Sequence, residues 1–247
     1  MTGMPEGVRK VCVAYDVANY SGRGTRREYA TQRRLAELLE LALRTAGLEP
    51  GSYEMQEQGD GGIALLPTGG AVDEPRMLVT LVRSLETGLT ELNEDLVPQA
   101  RIRLRVGLQE GVVHLAPHGY VGTAVIGACR LRDAGPVRDA LRANADAVLV
   151  VAVADGLYAD VLAHGHHGLP GSAFSRAEVR VKEFAASAWI YVAPAGPGPG
   201  GPGGPGGSGG PAGQPPVTSA APLAPDVDEP EPGAALGRLL ASDLDTW

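Results

Sequence analysis

Lysine is almost missing from this 247-residue chain: Lys10 and Lys182 are the only two, and arginine carries nearly all of the positive charge. Positive charge is also short overall. The formal net charge is −8 and the pI is near 5.1, which argues against non-specific binding to nucleic acid or to acidic membranes. There are two cysteines, Cys12 and Cys129, both in apolar surroundings. They read as reduced core residues of a cytosolic protein, with a disulfide between them left open. No apolar run approaches the length needed to cross a bilayer. The opening "MTGMPEGVRKVCVAYD" has neither the long apolar core nor the small-residue cleavage site of a signal peptide. The expectation is a soluble, cytoplasmic protein with neither a nucleic-acid nor a membrane partner.

Glycine and proline, by contrast, are abundant and unevenly spread. From Pro194 to about Pro232 the chain is almost wholly Gly, Pro, Ala and Ser, ending in the acidic run "PDVDEPEP". Such a segment has no apolar content to offset its ordering entropy, so a flexible linker over 194–232 is expected. Its glycines lack the three-residue period of collagen. Residues 1–193 are left to form a single domain with a sizeable core. Beyond the linker, 233–247 regains Leu236, Leu239, Leu240 and Leu244 at helical spacing and ends in Trp247. That pattern reads either as a short helix that docks on a partner or on its own domain, or as a disordered end.

Within 1–193, hydrophobic periodicity predicts a mixed α/β order. "VRKVCVAYDV" is a buried strand, and Arg27 to Gly47 is an amphipathic helix closed by a glycine. "GSYEMQEQGDGGIALLP" reads as two strands, and "EPRMLVTLVRSLETGLTELNEDL" as a second long helix. "RIRLRVGLQEGVVHLAPHG" is predicted to be a pair of alternating strands with Arg101, Arg103 and Arg105 on one face. "TAVIGACRLRDAG" is a short helix, "AVLVVAV" a buried strand, "DGLYADVLAHG" a helix, and Ala177 to Ala193 a two-stranded ribbon.

One segment carries chemistry. In "QEQGDGGIALLP" a Gly-Asp-Gly-Gly turn abuts an apolar run. By itself this is a hairpin turn, for which Asp-Gly is a strong signal; alternatively it holds a metal-binding carboxylate at a hairpin tip. Its neighbours in order are a strand ending in Asp16 within "DVANYS", then "LRVGLQEGVV", "YVGTAVIGACRL" and "VRVKEFAASAWIYV". These five stretches, covering Val8 to about Ala193, resemble the motifs of class III nucleotide cyclase (adenylyl/guanylyl cyclase) catalytic domains.

The resemblance implies a ferredoxin-like α/β domain with a mixed, mainly antiparallel sheet and helices packed on it, assembled as a head-to-tail homodimer. It implies that Asp16 and Asp60, with the Val17 carbonyl, bind Mg²⁺ or Mn²⁺ (two ions if the protein is active). Arg130 would stabilise the transition state and Lys182 would bind the triphosphate of a nucleoside triphosphate, both from the second chain. Oxygen ligands suit those cations, and a guanidinium fork suits phosphate. Departures fall in the base and ribose region. The position of a ribose-orienting Asn is Ile126, and the base-reading positions are Gln56 (or, one residue on, Glu57) and Gly119. Two readings therefore compete: a cyclase-like module that senses metal–nucleotide or scaffolds a signalling complex, and an active cyclase of unusual base choice. "HGHH" (His164, His166, His167) reads as a solvated loop, and "GRG" at Gly22 to Gly24 is too short for a phosphate cradle.

Overall fold

β1 (Val8–Val17) turns Val11, Val13, Tyr15 and Val17 to one side of a sheet and Cys12 and Ala14 to the other, and all six are buried. A strand with apolar residues on both faces has to lie inside a sheet. β1 does so, pairing antiparallel with β3 (Gly61–Pro67) on one side and β4 (Leu104–Ala116) on the other. In this computed structural model, residues 5–193 are described; the Gly/Pro-rich segment 194–232 and the 233–247 segment lie outside the described residues. With β2 (Glu54–Gln58), β6 (Leu149–Ala154), β7 (Phe174–Val181) and β8 (Phe184–Val192), the sheet runs β2-β3-β1-β4-β6-β8-β7. Only the β4–β6 pairing is parallel. The expected mixed, mainly antiparallel sheet is what the chain forms.

Two long helices cover one face. α1 (Thr25–Thr45) ends where Gly47, at φ 83°, lets Leu48 N–H reach Leu43 O and Gly47 N–H reach Arg44 O, both at 3.0 Å. This is a Schellman ending of the kind the terminal glycine predicts. α2 (Glu74–Glu94) starts on Asp73, whose carboxylate accepts from Arg76 N–H at 3.1 Å. Leu35, Leu38, Leu39, Leu78, Leu81, Val82 and Leu85 pack from these helices onto the Val11, Val13, Tyr15 side of β1. The opposite face carries α3 (Thr123–Arg132) and α4 (Gly135–Ala143). A short helix, α5 (Asp155–Leu157), continues as a π turn over Tyr158–Leu162.

Several elements differ from the sequence expectation. The segment expected to be two strands is one continuous strand, β4, which runs through Gly111 and is followed only by the short β5 (Gly119–Val121). Gly111 does not break the strand. A Cβ there would press on Ala124 of α3, so the glycine makes room for a helix. Arg101 and Arg103 precede β4, so the three arginines do not share one strand face. Arg103 donates to the Leu141, Asn144 and Ala147 carbonyls around the end of α4, a favourable place for a cation. α4 itself is a helix not anticipated from sequence; it follows the α3 terminus within three residues and takes Pro136 in its first turn. Both cysteines are free: Cys12 is buried and Cys129 half-buried. Burial, aided by the nearby Cys129, pushes the Cys12 thiol up to about 12, so it is protonated and inert at neutral pH.

Asn93, at the end of α2, is one of two buried polar residues among those described. Its amide donates to Ile102 O at 2.8 Å and accepts from Ile102 N–H at 2.7 Å. This pair of hydrogen bonds ties the end of α2 to the chain two residues before β4. Asn93→Ala leaves a buried N–H and C=O without partners, so a loss of about 2 kcal/mol or more is expected by denaturant titration, against within about 0.5 kcal/mol for an exposed change such as Glu91→Ala.

Candidate functional site

Asp16, the next-to-last residue of β1, stands on the α3 face of the sheet, opposite Gly61 of β3 and Arg105 of β4. β2 and β3 are joined by the two residues Gly59 and Asp60, with positive φ at Gly59 but not at Asp60, the pattern of a type II′ turn. The turn and metal-site readings of this segment are thus compatible, because the turn is what places Asp60 at the tip. Val17 N–H donates to the Asp60 carbonyl at 3.0 Å and ties the tip to β1. Gly61 has no room for a side chain, since a Cβ would overlap the Tyr15 carbonyl. The result is two carboxylates at the same end of the sheet, with Asp60 the last and smallest of the influences acting on Asp16, after burial and the neighbouring arginines.

Burial is the largest influence on Asp16 and pushes its carboxyl above the ordinary carboxylate range; Arg105 and Arg132 pull it down without fully offsetting the burial. Arg105 Nη2 donates to Asp16 Oδ2, and the two side chains are 19% and 15% exposed. Arg132, from the last turn of α3, is held by both Asp133 oxygens at 2.8 Å and reaches the Tyr15 carbonyl at 3.4 Å. The sequence reading missed both arginines. Their signal was the register: a β1–β4 pairing that sets Asp16 opposite Arg105 was not derivable from either strand separately.

Arg130, the residue expected to act on phosphate, is two positions from Arg132 and so points elsewhere on the helix. It shares its face with Ile126, one turn earlier, whose side chain is 57% exposed. Lys182 sits in the two-residue β7–β8 turn at φ 54°. Asp16 is level with Arg105, Val150 and Val192 across the sheet. The β8 start is eight residues from that level, roughly 25 Å away along the strand. One chain therefore does not bring its own Lys182 to its own Asp16.

The two base-region positions do meet. The β4–β5 hairpin folds across the sheet, placing Tyr120 against the Ile63–Leu65 cluster and Gly119 against Gln56. A Cβ on Gly119 would overlap the Gln56 side-chain oxygen, and φ there is +120°. The backbone conformation favours glycine here, and any side chain would also have to push the Gln56 amide aside. Of the histidines, His164, His166 and His167 stay on an exposed loop, and no group of three or more metal-ligating His, Cys, Asp or Glu side chains occurs among the described residues. Gly119→Ala should cost about 1–3 kcal/mol by thermal unfolding. The cost should shrink when Gln56→Ala is added, because the overlap term disappears.

No family model matches the sequence, and no curated protein matches it. Solved structures do. An adenylate/guanylate cyclase/hydrolase from Silicibacter pomeroyi superposes with a TM-score of 0.54 at 20% identity, covering 76% of this chain and 98% of that one. A guanylyl cyclase gives 0.53 at 13% identity over 80% of this chain and 97% of its own. A bacterial light-regulated adenylyl cyclase gives 0.53 at 18% identity, with 77% and 52% covered. At such identities the likeness is one of fold. The chain has, in divergent form, the fold of the class III adenylyl/guanylyl cyclase catalytic domain.

Proposed function

We propose that this protein is a divergent cyclase-like signalling module that binds a divalent cation together with a nucleoside triphosphate at the Asp16–Asp60 edge. The observation that carries the reading is the convergence of these two carboxylates, one set by the β1 register and the other by a hairpin tip hydrogen-bonded to Val17. The donor set fits Mg²⁺ or Mn²⁺ in kind, since both prefer oxygen. Asp16 and Asp60 would hold the ion, with the Val17 carbonyl beside them. With no third acidic or imidazole group joining the cluster among the described residues, phosphate oxygens and water are left to complete the shell, as suits Mg²⁺. When bound, the ion supplies positive charge for the phosphoryl oxygens and the leaving group.

The separation of Lys182 from Asp16 supports a head-to-tail homodimer, in which a second copy brings its Arg130 and Lys182 to the first copy's carboxylates. Exposed apolar residues on the α3 and β4–β5 side, Leu115, Val121 and Ile126, suit such a contact. Binding without turnover is favoured by Ile126, whose exposed apolar side chain offers no hydrogen bond at the position aligned with ribose orientation. The second reading, an active cyclase of unusual base choice, draws on the presence of Arg130 and Lys182. The 233–247 segment remains a candidate docking element for a protein partner.

Mn²⁺ with a triphosphate is expected to raise the melting temperature, by about 2.7 kcal/mol of stabilisation at a hundredfold excess over Kd. Asp16→Asn and Asp60→Asn should each abolish the rise, and Lys182→Ala should weaken it. Superimposable melting curves with all four ribonucleotides would leave only a scaffold role. Incubation of the protein with each ribonucleotide and Mn²⁺ decides between the binding and catalytic readings: a 3′,5′-cyclic product that vanishes in Asp60→Ala establishes the cyclase.

A further inference from the structure

The arginine of "GRG", a stretch too short to cradle a phosphate, has four backbone partners. Arg23 lies in the loop between β1 and α1. Its Nε donates to Asn19 O at 2.9 Å and its Nη2 to Ala18 O at 3.2 Å, both in that loop. Nη2 also donates to Arg101 O at 3.0 Å, and Nη1 to Ala100 O at 3.4 Å, at the approach to β4. Carbonyls 77 and 78 positions along the chain are thus gathered with two local ones around a single guanidinium. Its fixed fork of donors compensates four negative dipole ends at once.

The loop it clamps begins at the Asp16–Asp60 end of the sheet. Val17 directly follows Asp16 and closes β1. The peptide plane after Val17 holds both the Val17 carbonyl and the Ala18 N–H, and that N–H donates to Arg103 O at 2.9 Å. The next two carbonyls, of Ala18 and Asn19, are the ones Arg23 takes. Asn19 has φ 55°, a left-handed conformation that a non-glycine residue keeps when its surroundings hold it there. The anchor on the other side is itself tied down, because Asn93 bonds both backbone groups of Ile102, the residue after Arg101. Arg23 therefore fixes the course of the chain just after Val17 against a point fastened to α2.

We infer that Arg23 is a positioning residue for the candidate cation site: by clamping the loop after β1 it holds the Val17 carbonyl beside Asp16, and cation–triphosphate binding depends on that clamp. The inference rests on the proposed metal–triphosphate reading and adds to it a residue that need touch neither ligand. An outer residue of this kind acts through the order it imposes on the liganding groups.

The test uses the full chain and calorimetry of Mn²⁺–tripolyphosphate, a probe with no base. Arg23→Gln is expected to bind it about tenfold more weakly than the wild type. Millimolar guanidinium ion, far below denaturing concentrations, should restore part of that loss by entering among the four carbonyls, and should leave the wild type unchanged. Arg23→Lys keeps the charge without the fork, so its affinity should fall between the two. Tyr158→Phe is the control: it removes a buried hydrogen bond to Gly171 O beyond the far end of β6, so its melting temperature should drop while its affinity stays. Circular dichroism reports whether each variant folds, and Arg23→Lys carries the test if Arg23→Gln does not. Wild-type affinity in the folded Arg23 variant overturns the inference and spares the proposed function. So does a loss that neither guanidinium nor Arg23→Lys relieves, or one that Tyr158→Phe matches, since either marks general destabilisation. Absence of Mn²⁺–tripolyphosphate binding to the wild type, repeated with all four nucleoside triphosphates, overturns both.

Discussion

A carboxylate on the central strand of a sheet has to be compensated, and much of the geometry around β1 follows from how Asp16 meets that demand. Five of the six residues that precede Val17 on this strand are buried apolar or aromatic side chains, and Asp16 alone carries charge. Left unpaired in such a place it would protonate or destabilise the fold. The opposing β4 residue is an arginine, a second arginine closes in from α3, and the hairpin tip is drawn to the same edge by a backbone hydrogen bond. The result is a polar corner built into one end of an otherwise apolar sheet.

That corner depends on close packing of α3. Gly107 and Gly111 on β4 lack the side chains that would hold the helix off, and on the helix Gly127 leaves space that the Gln109 side chain fills. At one end of α3, Ala124 rests on Gly111; at the other, Arg132 comes within reach of the Asp16 strand. The same helix turns Ile126 and Arg130 outward, away from this corner. One short element thus serves an internal electrostatic task and presents an external surface, and residues two positions apart divide the two roles.

The polar corner does not contain every residue singled out in the sequence. The β7–β8 turn that carries Lys182 lies at the far end of the sheet, while the Gln56–Gly119 contact forms on the near side under the folded β4–β5 hairpin. One chain therefore keeps its acidic corner and its Lys182 turn apart.

The alternation in "VRKVCVAYDV", the amphipathic patterns of α1 and α2 with the glycine that closes α1, and the Gly-Asp turn of the β2–β3 hairpin are local signals, and each was readable from residue spacing alone. The order of those signals was enough to recognise the fold, and Asp16 and Asp60 stood out because a charge at a strand end or a turn is conspicuous against apolar neighbours. The continuity of β4 was not readable, because a glycine that breaks a strand and one that admits a helix look alike in sequence. Nor was the partner of Asp16: Arg101, Arg103 and Arg105 form one run, and only the β1–β4 register sends Arg103 to the end of α4 and Arg105 to the carboxylate. Local patterning by itself determined most of the elements, α4 and the unbroken β4 excepted, and the positions of their acidic residues. Which charge neutralises which was decided by strand register and helix approach, because those contacts join residues some ninety positions apart and no short-range periodicity encodes them.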